Sequence, residues 1–570
     1  MRSAAMPEES VRPLERGLAV LRALAVAEQG QLRAGDLVRA TGLARSTVDR
    51  VVATLARIGY VRTRGQQLHL TPRLMELGNA YLAASGLTGE VAARTARLAD
   101  ELDESVSLAV PDGDGVRFVT QAARRRAMSV AFRIGDLLPP ERCAPGALFA
   151  DAWGEEEWAA WHARVAAGPA EEAFPALPPG PAPSAVPDLA ARVARAKETG
   201  WALDDQLIEP GLIAVAVPVR DGAGRVRYAL SAVSHTSRYT AEALAAAVLP
   251  RLRMEAERLG GMAGAGTPGA SGAEHAVALG ASEAEHPVDL ADPEPALPAF
   301  DPQAAKEELG PGFLQSLARG LAVLRALGEA RGDGLPLTAL AAATGLPRAT
   351  ARRCLHTLAL TGYAAHDGRL FRPLPRILEL GHAALSRLTF AELAEPHLRA
   401  LADRVHQSAS VTVLDGTDIR YVARAATVRV MSVHITVGTR FPAYATAMGR
   451  VLLAGLPPEE RERLLKAAPP RALTPHTVTD PAELARVLDR AAAEDHATAD
   501  QELEDGLRSV AVPVRDAAGQ VVAALNIAQH AGTAPLSGTR DALLPALRAT
   551  AAAIETDLHT AARFNEVRMS

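Results

Sequence analysis

Apolar residues recur at helical spacing near the start of the chain, with Leu18, Leu21 and Leu24 on one face. The same spacing returns at Leu321, Leu324 and Leu327. Two shorter helices are expected behind each. The stretch 337–343 carries Thr338 as N-cap, breaks at Thr344-Gly345 and resumes at Pro347, whose missing N–H costs nothing at a first helical position. In the earlier stretch Gly35 stands in the cap's place, Gly42 keeps the turn, and 44–58 forms the second helix. A helix, a short Gly-containing turn and a second helix make a helix-turn-helix pattern. Gly-Tyr follows each second helix, then short alternating stretches at 61–70 and 364–372; Asp367-Gly368 between them signals a hairpin, so each motif carries a wing. The rest of each half mixes helices with strands such as 411–417 and 521–527, an α+β arrangement.

These echoes are one module written twice. Residues 16–24 return letter for letter at 319–327, a shift of 303 positions that also carries Ala40-Thr41-Gly42-Leu43, Gly59-Tyr60 and Met128-Ser129-Val130 onto their counterparts. The shift falls to 295 at Val217-Pro218-Val219-Arg220-Asp221, so the first copy holds a net insertion of eight residues, near a Pro-rich run at 174–183 that reads as a surface loop. Each copy is larger than a solenoid repeat. The expected organisation is a winged helix-turn-helix domain at 10–80, an α+β domain at 81–259, a Gly- and Pro-rich flexible linker at 260–312, a second winged domain at 313–383 and a second α+β domain at 384–565.

A length of 570 residues fits about four domains. The net charge of −5 points to neither nucleic acid nor membrane, so any basic surface must be local. It is local: 313–383 holds nine Arg against four acids. Cys143 and Cys354 stand far apart, which excludes a Cys-rich zinc site and a disulfide framework and points to a reducing compartment, the cytoplasm. No apolar stretch has the length of a membrane helix, and the first residues lack a signal-type apolar run. No metal site and no cofactor are expected.

The basic excess falls on the second short helices. Arg348, Thr350, Arg352, Arg353 and His356 alternate with apolar Cys354, Leu355 and Leu358, so one face packs while the other presents donors. Arginine matches guanine O6 and N7 in the major groove, and Thr or His reaches base edges or phosphates. The first copy offers Arg45, Ser46, Thr47, Asp49 and Arg50, a different reading surface. Arg62 and Arg64 on one wing, and Arg369 and Arg372 on the other, complete the expected contacts with double-stranded operator DNA.

Four ordered motifs, 319–324, 343–353, 443–454 and 506–513, resemble the IclR family of transcription regulators, and the second copy is most similar to its PcaR/PcaU/PobR branch. The resemblance implies an N-terminal winged helix-turn-helix, a GAF-like α+β effector domain, assembly as a homo-oligomer or here an intramolecular pseudo-dimer, and control of aromatic-acid catabolism through the β-ketoadipate pathway. It also implies an effector pocket for a small organic acid at Tyr444, Thr446, Ala447, Met448, Asp500, Arg508, Ser509 and Asn526, with helix N–H groups offered at Gly449. The corresponding first-copy positions are Glu141, Cys143, Ala144, Pro145, Asp205, Ile213, Ala214 and Ser231, without the arginine. The first pocket is therefore expected to be degenerate or to take a less anionic ligand. Two rivals stand beside this reading: a ligand sensor acting through protein partners, and an enzyme. No Gly-x-Ser-x-Gly, His-Glu-x-x-His or P-loop pattern is present, so no catalytic residue is expected.

Overall fold

The computed structural model describes residues 10–27, 30–87, 89–124, 132–167, 174, 176–177, 188–264, 310–330, 334–426, 435–531 and 535–569. The motifs at 128–130 and 431–433, most of the Pro-rich run and most of the expected linker lie outside the described residues. The chain divides into two compact units, 1–384 and 385–570. These do not coincide with the two repeats, because the second winged domain groups with the whole first copy.

In the first unit, each winged domain is built from an amphipathic helix, Arg12–Val26 or Gln315–Ala326, followed by the two helices of the motif. The first motif pairs Ala34–Thr41 with Arg45–Arg57 and the second pairs Leu337–Thr344 with Arg348–Leu360. The turn between them depends on glycine. Gly42 and Gly345 both take left-handed backbone, at φ 65° and 64°, which an L side chain adopts only with strain. The starts differ from expectation by a residue or two. Pro336, not Thr338, is the N-cap, Pro347 caps the helix that begins at Arg348, and Arg33 with Asp36 closes the first-copy helix where Gly35 was expected. Strands β1 (Gln31–Arg33), β2 (Val61–Arg64) and β3 (Gln67–Leu70) make the first wing.

The two winged domains pack on each other through their first helices, and the contacts are reciprocal. A Cβ on Gly17 would overlap Leu317, and one on Gly320 would overlap Leu14, so each glycine admits the other copy's leucine. Both leucines are wholly buried. The Val11 N–H donates to Thr357 Oγ1 at 2.9 Å, and the Leu314 N–H donates to Thr54 Oγ1 at 2.9 Å. Both threonines lie on the helices that bear the basic residues. Arg325 pairs with Glu76 at 3.4 Å and Arg22 with Glu379 at 3.8 Å. Under the shift of 303 every one of these contacts maps onto its partner, the signature of a two-fold interface between unlike halves.

Beyond the wing, β4 (Ser105–Asp112), β5 (Gly115–Ala122), β6 (Leu137–Leu138), β7 (Ala202–Asp205), β8 (Leu212–Arg220) and β9 (Val226–His235) form an antiparallel sheet in the order β6-β5-β4-β9-β8-β7. Helices Gly89–Leu102 and Ala241–Gly264 cover one face; Ala144–Ala150 and Leu189–Thr199 lie on the other. The helix ending at Gly264 runs five residues into the stretch expected to be linker. Wing strands β10 (Leu335–Pro336), β11 (Ala364–His366) and β12 (Leu370–Pro373) complete this unit.

The second unit repeats the sheet with β13 (Ser408–Asp415), β14 (Asp418–Ala425), β15 (Arg440–Pro442), β16 (Ala497–Asp500), β17 (Leu507–Arg515) and β18 (Val521–His530) in matching order. Helices Phe390–Val405 and Leu536–Ala562 back one face, and Ala447–Ala454 and Pro481–Glu494 the other. Among the described residues no helix is long and apolar enough to cross a membrane.

Two outcomes follow from the pairing of the winged domains. Replacing both Gly17 and Gly320 with valine overfills the helix contact at a cost of about 1–3 kcal/mol per site. Circular dichroism should then show helix content kept while DNA affinity falls; unchanged affinity would mean that the paired arrangement is not the one that binds. His382 is buried against Gly78, and burial alone depresses its imidazole from 6.5 to about 4. Its folded form is neutral, so the unfolded chain takes up a proton first as pH drops below 6.5. Stability is therefore full above pH 6.5 and falls by roughly 3 kcal/mol on the way to pH 4. His382→Asn, which copies Asn79 at the matching position, should flatten that acid limb in denaturant titrations.

Candidate operator-reading and effector-binding sites

The two basic helices present their polar faces outward because their other faces are core. Val48, Val51 and Leu55 are buried in the first, and Ala351, Cys354, Leu355 and Leu358 in the second. Arg45, Ser46 and Arg50 are exposed and Thr47 half-buried; Arg348, Arg352 and Arg353 are exposed, with Thr350 and His356 half-buried. On the wings Arg64, Arg369 and Arg372 are exposed and Arg62 is half-buried. Each group thus lies on its expected helix or hairpin. The heads are unequal: Arg45 pairs with Asp49 on its own helix at 3.1 Å, whereas no acid stands on the matching stretch of the second helix. The first of the two basic helices therefore carries less net positive charge than the second.

In the second unit the eight expected effector residues do not converge. Alternation along a strand sends neighbours to opposite faces, and β17 separates Arg508 from Ser509. Arg508 forks onto Asp500, with Nε and Nη2 each donating to one carboxylate oxygen at 2.9 Å, and its Nη1 donates to Thr539 on the helix Leu536–Ala562 at 3.3 Å. This pair lies on the face opposite Tyr444, Met448, Ser509 and Asn526, so Arg508 and Asp500 hold the backing helix rather than face an effector. The Tyr444 hydroxyl also has a structural partner, since it donates to the Arg471 carbonyl at 2.9 Å. Ala447 and Met448 are core. The expected N–H at Gly449 is already taken: Thr446 Oγ1 accepts from it at 3.0 Å. Gly449 is glycine for another reason, as a Cβ there would overlap the Ala443 backbone.

A cation does reach the inner face, and sequence reasoning missed it. Arg424 on β14 stands opposite Ser410 on β13, which stands opposite Asn526 on β18, which stands opposite Ala511 on β17. Ala511 belongs to the cluster under Ala447–Ala454, so this row of guanidinium, hydroxyl and amide faces that helix. Arg424 is half-buried and donates to the Ile435 carbonyl at 2.7 Å. Asn526 is wholly buried, its amide nitrogen 3.1 Å from the Val510 carbonyl. A β-bulge leaves one extra residue, Val422, between Tyr421 and Ala423, the partners of Thr412 and Val411, and this irregularity sets which face Arg424 takes. The available signal was an arginine in the apolar half of a strand, after Tyr421, Val422 and Ala423.

A buried ion pair, also unforeseen, fixes the wall beside this row. Arg450 Nη1 donates to Glu502 Oε1 at 2.6 Å and to the Thr498 carbonyl at 3.0 Å, and its Nε donates to the Tyr444 carbonyl at 3.1 Å. Glu502 in turn accepts from the Val478 N–H at 3.2 Å. With this many donors met, the pair is satisfied in place and anchors the start of Ala447–Ala454.

The first copy builds the same row from Gln121, Ser107, Ser231 and Ala216. Glutamine stands where the second copy has Arg424, a difference that sequence reasoning, which looked to Ile213 in place of Arg508, did not single out. Arg142 and Arg192 lie near but donate to backbone carbonyls, those of Leu207 and Ile208 and those of Glu141, Cys143 and Leu203. Burial pushes the Cys143 thiol up to about 12, which leaves it unreactive.

Comparison with known proteins follows the repeat. The model described as IclR helix-turn-helix domain matches residues 13–65 and 316–368, and that described as Bacterial transcriptional regulator IclR C-terminal matches 79–260 and 382–556. The Pca regulon regulatory protein of Pseudomonas putida is 43% identical over 273 residues, covering 46% of this chain and 94% of its own length. The p-hydroxybenzoate hydroxylase transcriptional activator of Acinetobacter baylyi is 33% identical over 255 residues, covering 44% and 94%. An IclR homolog from Microbacterium hydrocarbonoxydans, solved in complex with 4-hydroxybenzoate, is 30% identical, covers 43% of this chain and 98% of its own, and has a TM-score of 0.28.

The different partners of the two arginines give a direct test. Arg508→Gln breaks the fork onto Asp500 and should lower the melting temperature by several degrees, while Arg424→Gln, which keeps a polar side chain at a half-buried position, should change it less. Equal melting temperatures for the two variants would contradict the assignment of Arg508 to the scaffold.

Proposed function

Because the chain belongs to the IclR family of transcriptional regulators, we propose that it is a regulator whose one polypeptide supplies both reading heads for a single operator. The reciprocal contacts carry this reading: Gly17 on Leu317, Gly320 on Leu14, and the paired Thr54 and Thr357 bonds. They fix the spacing of Arg45–Arg57 relative to Arg348–Leu360, which two separate chains achieve only by associating. Intramolecular pairing replaces a concentration-dependent step with a constant effective concentration.

The heads insert Arg45, Ser46, Thr47 and Arg50 into one half-site and Arg348, Thr350, Arg352, Arg353 and His356 into the other, with Arg62, Arg64, Arg369 and Arg372 on flanking phosphates. Since the two sets differ, the operator is two unlike half-sites rather than a palindrome. The effector of the second unit is a small aromatic carboxylic acid. Supporting this are the names of the Pca regulon regulator and the p-hydroxybenzoate hydroxylase activator among the relatives, and the placement of Arg424 beside Ser410 and Asn526. A guanidinium in a half-buried site is the natural partner of a carboxylate. Effector binding acts on DNA by favouring one arrangement of the protein over another.

Footprinting on the DNA flanking its gene, over a salt series, tests the reading. Protection should span two dissimilar half-sites about one helical turn apart, with affinity falling steeply as salt rises. Arg353→Ala should cost about 1–3 kcal/mol and thin protection in one half only. Symmetric protection, or no preference over random DNA, would defeat the proposal. Separately, Arg424→Gln should weaken 4-hydroxybenzoate binding by tenfold or more in calorimetry, an effect that Arg508→Gln lacks.

A further inference from the structure

On the inner face of the first effector sheet, polar atoms go unanswered. Gln121, Ser107 and Ser231 stand side by side across β5, β4 and β9. Ser107 and Ser231 are 0% and 1% exposed, and neither hydroxyl has a hydrogen-bond partner, nor does either end of the buried Gln121 amide. Two strands further, across β8, Asp204 on β7 stands opposite Ala214, which shares the face of Ala216, and is wholly buried. One of its carboxylate oxygens accepts from the Leu207 N–H at 2.8 Å, and the other has no partner. Buried polar groups are nearly always bonded, so a whole row left open on one face marks a place where something else supplies the bonds.

The character of the row is opposite to that of its counterpart. In the second unit the matching positions hold Arg424, Ser410, Asn526 and Ala499, a cation and no acid. In the first they hold an amide, two hydroxyls and a carboxyl. Burial pushes the Asp204 carboxyl up to about 7, and a carboxylate ligand brought beside it would raise it further. The apolar wall is aromatic: Phe118 stacks on Phe132 with ring centroids 4.2 Å apart, and Phe174 joins the same cluster.

We propose that the first effector domain binds a small uncharged aromatic molecule bearing hydroxyl or amide hydrogens, held by Asp204, Ser107, Ser231 and Gln121, so that one regulator answers two ligands of different charge. This rests on the reading of both sheets as effector domains, and it makes the first copy a second sensor rather than a degenerate one. Its donors meet the open acceptors of Asp204 and Gln121, and its oxygen accepts from the serines. The second copy, with its guanidinium, remains the site for an acid.

The experiment uses the full chain. All four tryptophans, Trp153, Trp158, Trp161 and Trp201, lie in the first effector domain, so their emission reports on that domain. The probes are 4-hydroxybenzyl alcohol and 4-hydroxybenzamide, with 4-hydroxybenzoate as the anion. The neutral probes should change tryptophan emission at one site per chain, keep their affinity in Arg424→Gln, and lose at least tenfold in Ser107→Ala/Ser231→Ala. Gln121→Leu is the milder second variant, and circular dichroism checks the fold of both. Failure of both neutral probes to bind, or binding that Arg424→Gln abolishes, or binding indifferent to the serine and glutamine variants, overturns the proposal. If benzoate binding instead survives Arg424→Gln while the neutral probes behave as described, the reading of the second domain falls and this one stands.

Discussion

Two glycines, each admitting a leucine from the other half of the molecule, set the geometry on which the DNA-binding end depends. Helices approach closely only where a side chain is missing, and Gly17 and Gly320 remove it at matching points of Arg12–Val26 and Gln315–Ala326. The bonds from Val11 to Thr357 and from Leu314 to Thr54 then tie each reading helix to the other copy's first helix. The separation of the two basic faces is thereby a property of a packed core, which is stiff and does not deform continuously. Fusion of the copies makes this pairing independent of protein concentration and frees the two halves to diverge.

Divergence is visible wherever the two-fold relation is broken. Glu76 and Glu379 are matched centres, each paired with an arginine of its own copy, Arg73 or Arg376, and one of the other, Arg325 or Arg22. The Tyr363 hydroxyl donates to Glu379 at 2.7 Å, and Arg117 of the first effector sheet lies 3.9 Å from it. Arg117 also donates to the Gly135 carbonyl, and Gly135 packs on Ala383. Strand β5 therefore carries Phe118 and Gln121 on its inner face and Arg117 on its outer face, against the second head. A change on the inner face has a short physical path to the contact between heads, a placement that suits a sensing role for the first copy.

The two effector sheets show how one scaffold changes ligand character without changing shape. Strand order, pairing and the bulge on the strand that carries Arg424 or Gln121 are the same in both copies. On the row itself the side chains differ in charge, Arg424 and Asn526 standing where the first copy has Gln121 and Ser231. In the second copy the buried Arg450–Glu502 pair holds the start of Ala447–Ala454; in the first, Ala147 and Leu207 take those positions, and Arg142 and Arg192 hold the same loops through backbone carbonyls. Each solution satisfies its own donors locally, so neither constrains the ligand row beside it.

By itself the sequence determined the duplication, the winged motifs with their Gly42 and Gly345 turns, the placement of the basic residues on exposed helix faces and the α+β class of the remainder. Those features follow from local chemistry: periodicity, turn geometry and the identity of repeated residues. Only the tertiary structure decided that Arg508 and Asp500 serve the backing helix, that Arg424 and not Arg508 faces inward, and that the two winged domains close on each other. The physical reason is that these outcomes depend on which strands are neighbours, on a bulge that resets the alternation of β14, and on contacts between residues some three hundred positions apart. None of that is written in the spacing of residues along the chain.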